Sequence, residues 1–238
     1  MKKKQLKGKR FAILAADGFE YAELALPKKA LKAAGAKVDV VSLHSGRIRG
    51  MTLTTPSGTV CVDRTLEQAQ PDTYDGLFIP GGFVSPDLLR QSQRARAFVR
   101  EFEEAEKPIA TICHGPWLLA SAELVTGRSL ASWPGIRDDL VHAGAVWRDQ
   151  AVVTDRNWVS SRSPQDLPLF IPAMLNLFAN GQAPEVPGMA MSSAKPLEPA
   201  TMVVKAARYL PGPLTWALAG IALAVAGAIV FSRDDQES

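Results

Sequence analysis

Cysteine is scarce in this 238-residue chain: Cys61 and Cys113 are the whole complement, and there are only three histidines. Two thiols cannot build a disulfide framework or supply a cysteine-based zinc site, so a reducing compartment is the expectation. A surplus of one charge sign is also missing from the body of the chain. The formal net charge is +3, but six basic residues and no acid stand in the opening MKKKQLKGKR, and beyond them acids outnumber bases. That makes a basic tail rather than a basic face, and it argues against nucleic acid as a partner. No GxxxxGK[ST] phosphate loop, HExxH helix or paired-cysteine motif occurs, so nucleotide hydrolysis and zinc chemistry have no support, and no metal or other cofactor is expected.

Long hydrophobic runs are absent until the end of the chain. FAILAA, behind the basic start, is too short for the apolar region of a signal peptide and runs into the charged DGFEYAE. Residues 214–231, LTWALAGIALAVAGAIVF, are the one membrane-length stretch, 18 residues without a charge. Lys205 and Arg208 precede it, whereas Arg233 follows it among Asp234, Asp235 and Glu237, which places the preceding domain in the cytoplasm by the positive-inside rule. The expected organisation is a basic tail over 1–10, a catalytic domain over 11–180, a Pro/Gly/Ala-rich linker and juxtamembrane segment over 181–210, a transmembrane helix over 211–231 and a polar tail over 232–238.

With 47% hydrophobic and 21% charged residues, the domain can bury a full core. Short apolar runs at 10–15, 37–43, 59–63, 75–80 and 108–112 read as strands, with further strands near 151–154 and 158–160. Between them, helical periodicity covers 21–34, 86–104, 115–124, 136–143 and 164–178. Such alternation predicts an α/β fold: a three-layer sandwich with a mostly parallel sheet, whose chemistry sits at the carboxyl ends of the strands.

The run PIATICHGPWLL puts Cys113 at a turn from buried strand to helix, the setting of a nucleophile elbow. The unpaired N–H groups and dipole of the following helix are expected to favour its thiolate, with His114 as proton-transfer partner. Glu20 follows the first strand, where topology brings it toward Cys113 as a proton-holding acid; by spacing alone it is equally an ordinary first-turn acid of the next helix. Gly81 and Gly82 follow the neighbouring strand and permit close backbone approach; their N–H groups, with that of His114, are candidates for an oxyanion hole. Trp117 and Phe83 are placed either to narrow the pocket or to pack. Cys61, inside an alternating strand, is expected in the core, and His44 and His142 in solvated or structural roles.

The order and spacing of DGFEYAEL, IPGG, ATICHGPWLL, SWPGIRDDLVHAGAVW and WVSSRSPQDLP resemble the PfpI intracellular-protease and protein-deglycase family, within the class I glutamine-amidotransferase-like superfamily, over residues 11–179. The resemblance implies a flavodoxin-like sandwich with Cys113 as nucleophile, His114 as its partner and Glu20 as the acid contacting the cysteine. It also implies a homo-oligomer in which an acid from a neighbouring subunit, Asp87 here, reaches the histidine. Two substrate classes follow, peptides or glycated and α-oxoaldehyde carbonyls, in a stress-related role. A non-enzymatic alternative is a redox-sensing stress chaperone that works through Cys113 oxidation.

Overall fold

The computed structural model describes residues 5–182 and 192–194; the expected membrane segment at 211–231 lies outside the described residues. Among the described residues no helix is long and apolar enough to cross a membrane. In chain order the elements are β1 (Arg10–Leu14), β2 (Phe19–Glu20), α1 (Tyr21–Ala33), β3 (Lys37–Ser42), β4 (Arg47–Thr52), β5 (Thr55–Cys61), β6 (Arg64–Thr65) and β7 (Gly76–Ile79). They continue with α2 (Val84–Gln91), α3 (Gln93–Glu104), β8 (Ile109–Ile112), α4 (Pro116–Ser121), β9 (Ser129–Leu130), α5 (Arg137–His142), β10 (Val146–Trp147), β11 (Val153–Asp155), β12 (Trp158–Ser161) and α6 (Leu167–Asn180).

Seven strands form the main sheet in the order β11-β12-β8-β7-β1-β3-β6, all parallel except β11. Side chains of a strand point alternately to its two faces, and β1 shows what that does here. Ala12 and Leu14 enter a core shared with Leu89, Phe98, Phe102 and Leu118, while Phe11 and Ile13 enter one shared with Leu24, Leu31, Phe170 and Phe178. The expected three layers follow: α2 to α5 cover one face, α1 and α6 the other. Strand order reverses between β1 and β7, and a crevice opens at the carboxyl ends of strands beside such a switch point. The loops after β1, β7 and β8 meet there.

Three local expectations are corrected. The helix foreseen over 86–104 is two helices, because Ser92 takes an extended conformation (ψ 115°) and its side chain caps α3 by accepting the Ala95 N–H at 3.2 Å. The strand foreseen at 59–63 belongs to β5, which pairs with β4 in a separate three-stranded sheet with β2. Cys61 therefore lies exposed at the end of a hairpin, 3.2 Å from an Arg47 nitrogen, and not in the core. Part of the basic start is also tied to the domain: Leu6 is fully buried, and the Lys9 ammonium donates to the Phe178 and Ala179 carbonyls at the carboxyl end of α6, where a cation is favoured.

Candidate active site

Cys113 ends the buried β8 run with φ +60°, a left-handed conformation rare for a side chain with a Cβ, and the chain then enters α4 through Pro116 at its first turn. Strain of this kind persists only where neighbours hold it. Here the Cys113 N–H donates to Ser161 O at 3.1 Å and its carbonyl accepts the Trp133 N–H at 2.8 Å. The elbow is thus as the sequence reading expected, but the electrostatic expectation is corrected. Following α4 is only six residues long, and burial pushes the thiol well above its ordinary range. Backbone N–H groups of Gly82 and His114 donate toward the sulfur and pull the other way.

The carboxyl beside that sulfur is Glu23, not Glu20. Glu23 is fully buried, its Oε2 accepts the Gly81 N–H at 2.8 Å, its Oε1 is buried without a hydrogen-bond partner, and the carboxyl interacts with the Cys113 thiol. Burial, and then the charge of Glu20, push the Glu23 carboxyl up to about 8, so it is protonated at neutral pH. A protonated Glu23 exerts no charge repulsion on the sulfur and can donate its proton in a hydrogen bond to a thiolate. Glu20 is spent elsewhere: its carboxylate accepts the N–H of Leu53, at the tip of the β4–β5 hairpin, at 2.9 Å, and its own N–H donates to Gly81 O. It lines the pocket without contacting the cysteine.

Gly81 and Gly82 stand where the sequence placed them and both need to be glycine, but the Gly81 N–H is taken by Glu23 and is not available as an oxyanion donor. A Cβ on Gly81 would sit 2.5 Å from Cys113 Cβ; one on Gly82, whose φ is +99°, would sit 2.6 Å from Glu20 N. His114 Nδ1 lies 3.2 Å from Cys113 Sγ. The ring is buried, which lowers its pKa to about 4 and leaves it neutral at pH 7, able to accept the thiol proton. Aromatic rings hold it: Phe83 at 4.8 Å, Trp117 edge-on at 5.2 Å and Trp133 stacked at 5.8 Å between centroids.

Trp117 buttresses the histidine from behind, its indole N–H donating to Asp139 at 2.8 Å, and does not line the cavity. Leu53, Phe83, Trp133 and Pro164 close a cavity of about 20 Å³ over Cys113, room for about one water-sized group. Asp87 is exposed on the first turn of α2 and bonds Gln91 at 3.0 Å; no hydrogen bond or ion pair joins it to His114 of the same chain. His44 is exposed and bonds Asp17 at 2.7 Å, outside the site. Among the described residues no cluster of His, Cys, Asp or Glu is arranged to hold a metal. Sequence reasoning missed Glu23, Leu53, Trp133 and Pro164, which come from four segments distant in sequence.

Fold and site together define an α/β protein built around a cysteine elbow, with an adjacent neutral histidine and a buried carboxylic acid. A model described as the DJ-1/PfpI family matches residues 9–177, and the chain belongs to that family. It is 44% identical over 155 residues to Deglycase TK1284 of Thermococcus kodakarensis, covering 65% of this chain and 90% of that protein. To Protein/nucleic acid deglycase 2 of Escherichia coli it is 38% identical over 164 residues, 68% and 93% of the two chains. Among solved structures, a two-domain Anabaena variabilis protein with dj-1/thij/pfpi-like and ferritin-like domains matches with TM-score 0.69 and 33% identity over 73% of this chain. This chain spans about half (49%) of that protein's length.

Proposed function

We propose that this protein is a cysteine-nucleophile hydrolase of small α-oxoaldehyde carbonyls, free or carried as their first adducts on amines. The observation that carries the reading is the cavity over Sγ, about 20 Å³ and closed by Leu53, Phe83 and Trp133. A two- or three-carbon carbonyl needs only a small outward movement of that roof to reach the sulfur, whereas an extended peptide would have to displace it altogether. The deglycase names of relatives agree with this choice.

In the proposed reaction the Cys113 thiol gives its proton to neutral His114 Nδ1 and the sulfur adds to the aldehyde carbon. The carbonyl electron pair becomes an oxyanion held by the Gly82 and His114 N–H groups, and protonation yields a hemithioacetal. Moving the proton on C1 to C2, with Glu23 and His114 as the groups in reach, leaves a thioester. Water then hydrolyses the thioester to a 2-hydroxy acid and returns the thiol. The net change is addition of one water; on an amine adduct the sulfur replaces the amine at C1, the C–N bond breaks, and the amine leaves carrying the proton that the thiol gave up to His114.

Methylglyoxal consumption by the full chain beside Cys113→Ala, with a fluorogenic peptide panel in parallel, tests this. Turnover that falls at least about 10³-fold in the variant is expected. An intact protein silent toward methylglyoxal, or active only on peptides, refutes the proposal. The same reading makes residues 211–231 a membrane tether for a cytoplasmic catalytic domain. Removing residues 211–238 should then move the protein from membrane to cytosol on fractionation.

A further inference from the structure

Residues 192–194 lie beyond the end of the family match at 177, yet they are bonded to the domain. Their receptor is one edge of β10. In a strand, backbone groups point alternately to either side. Val146 N–H and Arg148 N–H of this strand donate to Arg128 and Leu130 carbonyls on the β9 side. The opposite side presents Ala145 C=O, Trp147 N–H, Trp147 C=O and Asp149 N–H, an open edge of the kind that pairs with extended chain.

All four groups are engaged by two serines. Trp147 N–H donates to Ser192 Oγ at 3.0 Å, and that hydroxyl donates on to Ala145 O at 3.4 Å. Ser193 N–H donates to Trp147 O at 2.8 Å, while Asp149 N–H donates to Ser193 Oγ at 3.2 Å. The Ser193 carbonyl in turn receives two bonds from the Arg137 guanidinium, from Nε at 3.0 Å and Nη2 at 2.8 Å. That guanidinium also lies 5.8 Å from the centre of the buried Trp147 ring. Three of the four edge groups meet serine hydroxyls, and the fourth, Trp147 C=O, meets the Ser193 N–H as it would meet an ordinary pairing strand.

We infer that the open edge of β10, with Arg137 as its clamp, is a peptide-docking site whose occupant is this chain's own Ser192–Ser193, strapping the C-terminal extension to the catalytic domain. The strap grips the pocket wall as well. Arg137 follows Trp133 by one short 3₁₀ turn, Pro134–Ile136, and Trp133 is the ring stacked on His114. Docking therefore helps to hold Trp133 in place.

Amide hydrogen exchange of the full chain in detergent micelles, read residue by residue, tests the inference without reference to turnover, so its failure is distinct from failure of the carbonyl chemistry. In the unaltered chain the Ser193 amide should be protected. Arg137→Ala, and separately the paired Ser192→Ala and Ser193→Ala, should each reduce that protection by about tenfold or more, the value of losing charged or multiple hydrogen bonds. The Trp133 amide, which donates to Cys113 O, should lose protection alongside it, while Ile13 in the central strand stays unchanged as a folding control. A Ser193 amide exchanging freely in the unaltered chain, or protection that survives both sets of substitutions, overturns docking. Protection that falls on dilution assigns the occupant to a second copy and overturns the strap. Loss at Ser193 with Trp133 unmoved overturns the link to the pocket.

Discussion

Replacing Glu23 with glutamine should change how stability depends on pH, and the size of the change follows from the site. The carboxyl is fully buried and raised from 4.5 to about 8, so the folded chain keeps a proton that the unfolded chain releases. The stability this contributes is fully present below pH 4.5 and is lost as pH rises through about 8, at 1.36 kcal/mol per unit. His114 works in the opposite direction: its folded value is lowered from 6.5 to about 4, so its effect appears as pH falls below 6.5 and is flat above it. His44, raised above 6.5 by its hydrogen bond to Asp17, loses its proton in the interval above 6.5 in either protein, so the difference between the native chain and Glu23→Gln from pH 6.5 to 8 is what isolates Glu23. Over that interval the native chain should lose roughly 2 kcal/mol that Glu23→Gln does not lose. Glutamine is nearly isosteric; its oxygen can keep the Gly81 N–H and its amide can face the sulfur, so a constant offset between the proteins is harmless. Urea denaturation at pH 6.5, 7.0, 7.5 and 8.0 measures the two slopes. Parallel curves would show that Glu23 does not hold its proton, and the account of the cysteine's partner would fail with it.

Turnover should report the same group: kcat/KM is expected to fall as pH rises through about 8, where Glu23 ionises beside the sulfur, and Glu23→Gln should lack that alkaline limb. Gly82→Ala must fit a Cβ at φ +99° and 2.6 Å from Glu20 N, so it should cost about 2–4 kcal/mol; a loss below 1 kcal/mol in denaturation would contradict the crowding. Arg128 is 2% exposed, bonds Glu103, Asp155 and Asn157, and lies over the Trp158 ring at 3.9 Å. Arg128→Ala strands those acids and should cost about 3–5 kcal/mol, against a refuting value near zero. Val84 and Leu88 are exposed around Asp87, a patch suited to a second copy. Light scattering should find an oligomer that Leu88→Glu dissociates, and a monomeric native protein would exclude that reading.

Much of the fold was legible because parallel strands buried on both faces appear as short apolar runs, and β1, β7 and β8 are fully or almost fully buried. The same logic explains the miss at β4 and β5. RIRGMT and TPSGTVC lie outside the main sheet, the first half-buried and the second largely exposed, so only the end of the second, at 59–61, showed as part of a strand run. Yet this hairpin supplies Leu53 to the roof of the pocket, and Trp133 and Pro164 reach it from loops whose positions only the assembled fold determines. Cys113 and His114 were readable because the elbow is a local pattern.

The acid is the instructive case. Glu20 is the last residue before α1, and its pairing through β2 with β4 sends its carboxylate to the hairpin tip. Glu23 lies in the first turn of α1, on the buried stripe with Leu24, Pro27 and Leu31. The two are three positions apart, close to one helical turn, but the first still has an extended backbone, so the two side chains leave the chain in different directions. A sequence signal was present, since an acid on the apolar stripe of an amphipathic helix breaks the pattern that buries the helix. Such a carboxyl is tolerable only if it is protonated or fully hydrogen-bonded. A carboxyl beside a buried thiol must also stay uncharged as the thiolate forms, or it would repel the sulfur. Both requirements meet at Glu23, and helical phase, rather than proximity to the first strand, was the property that pointed to it.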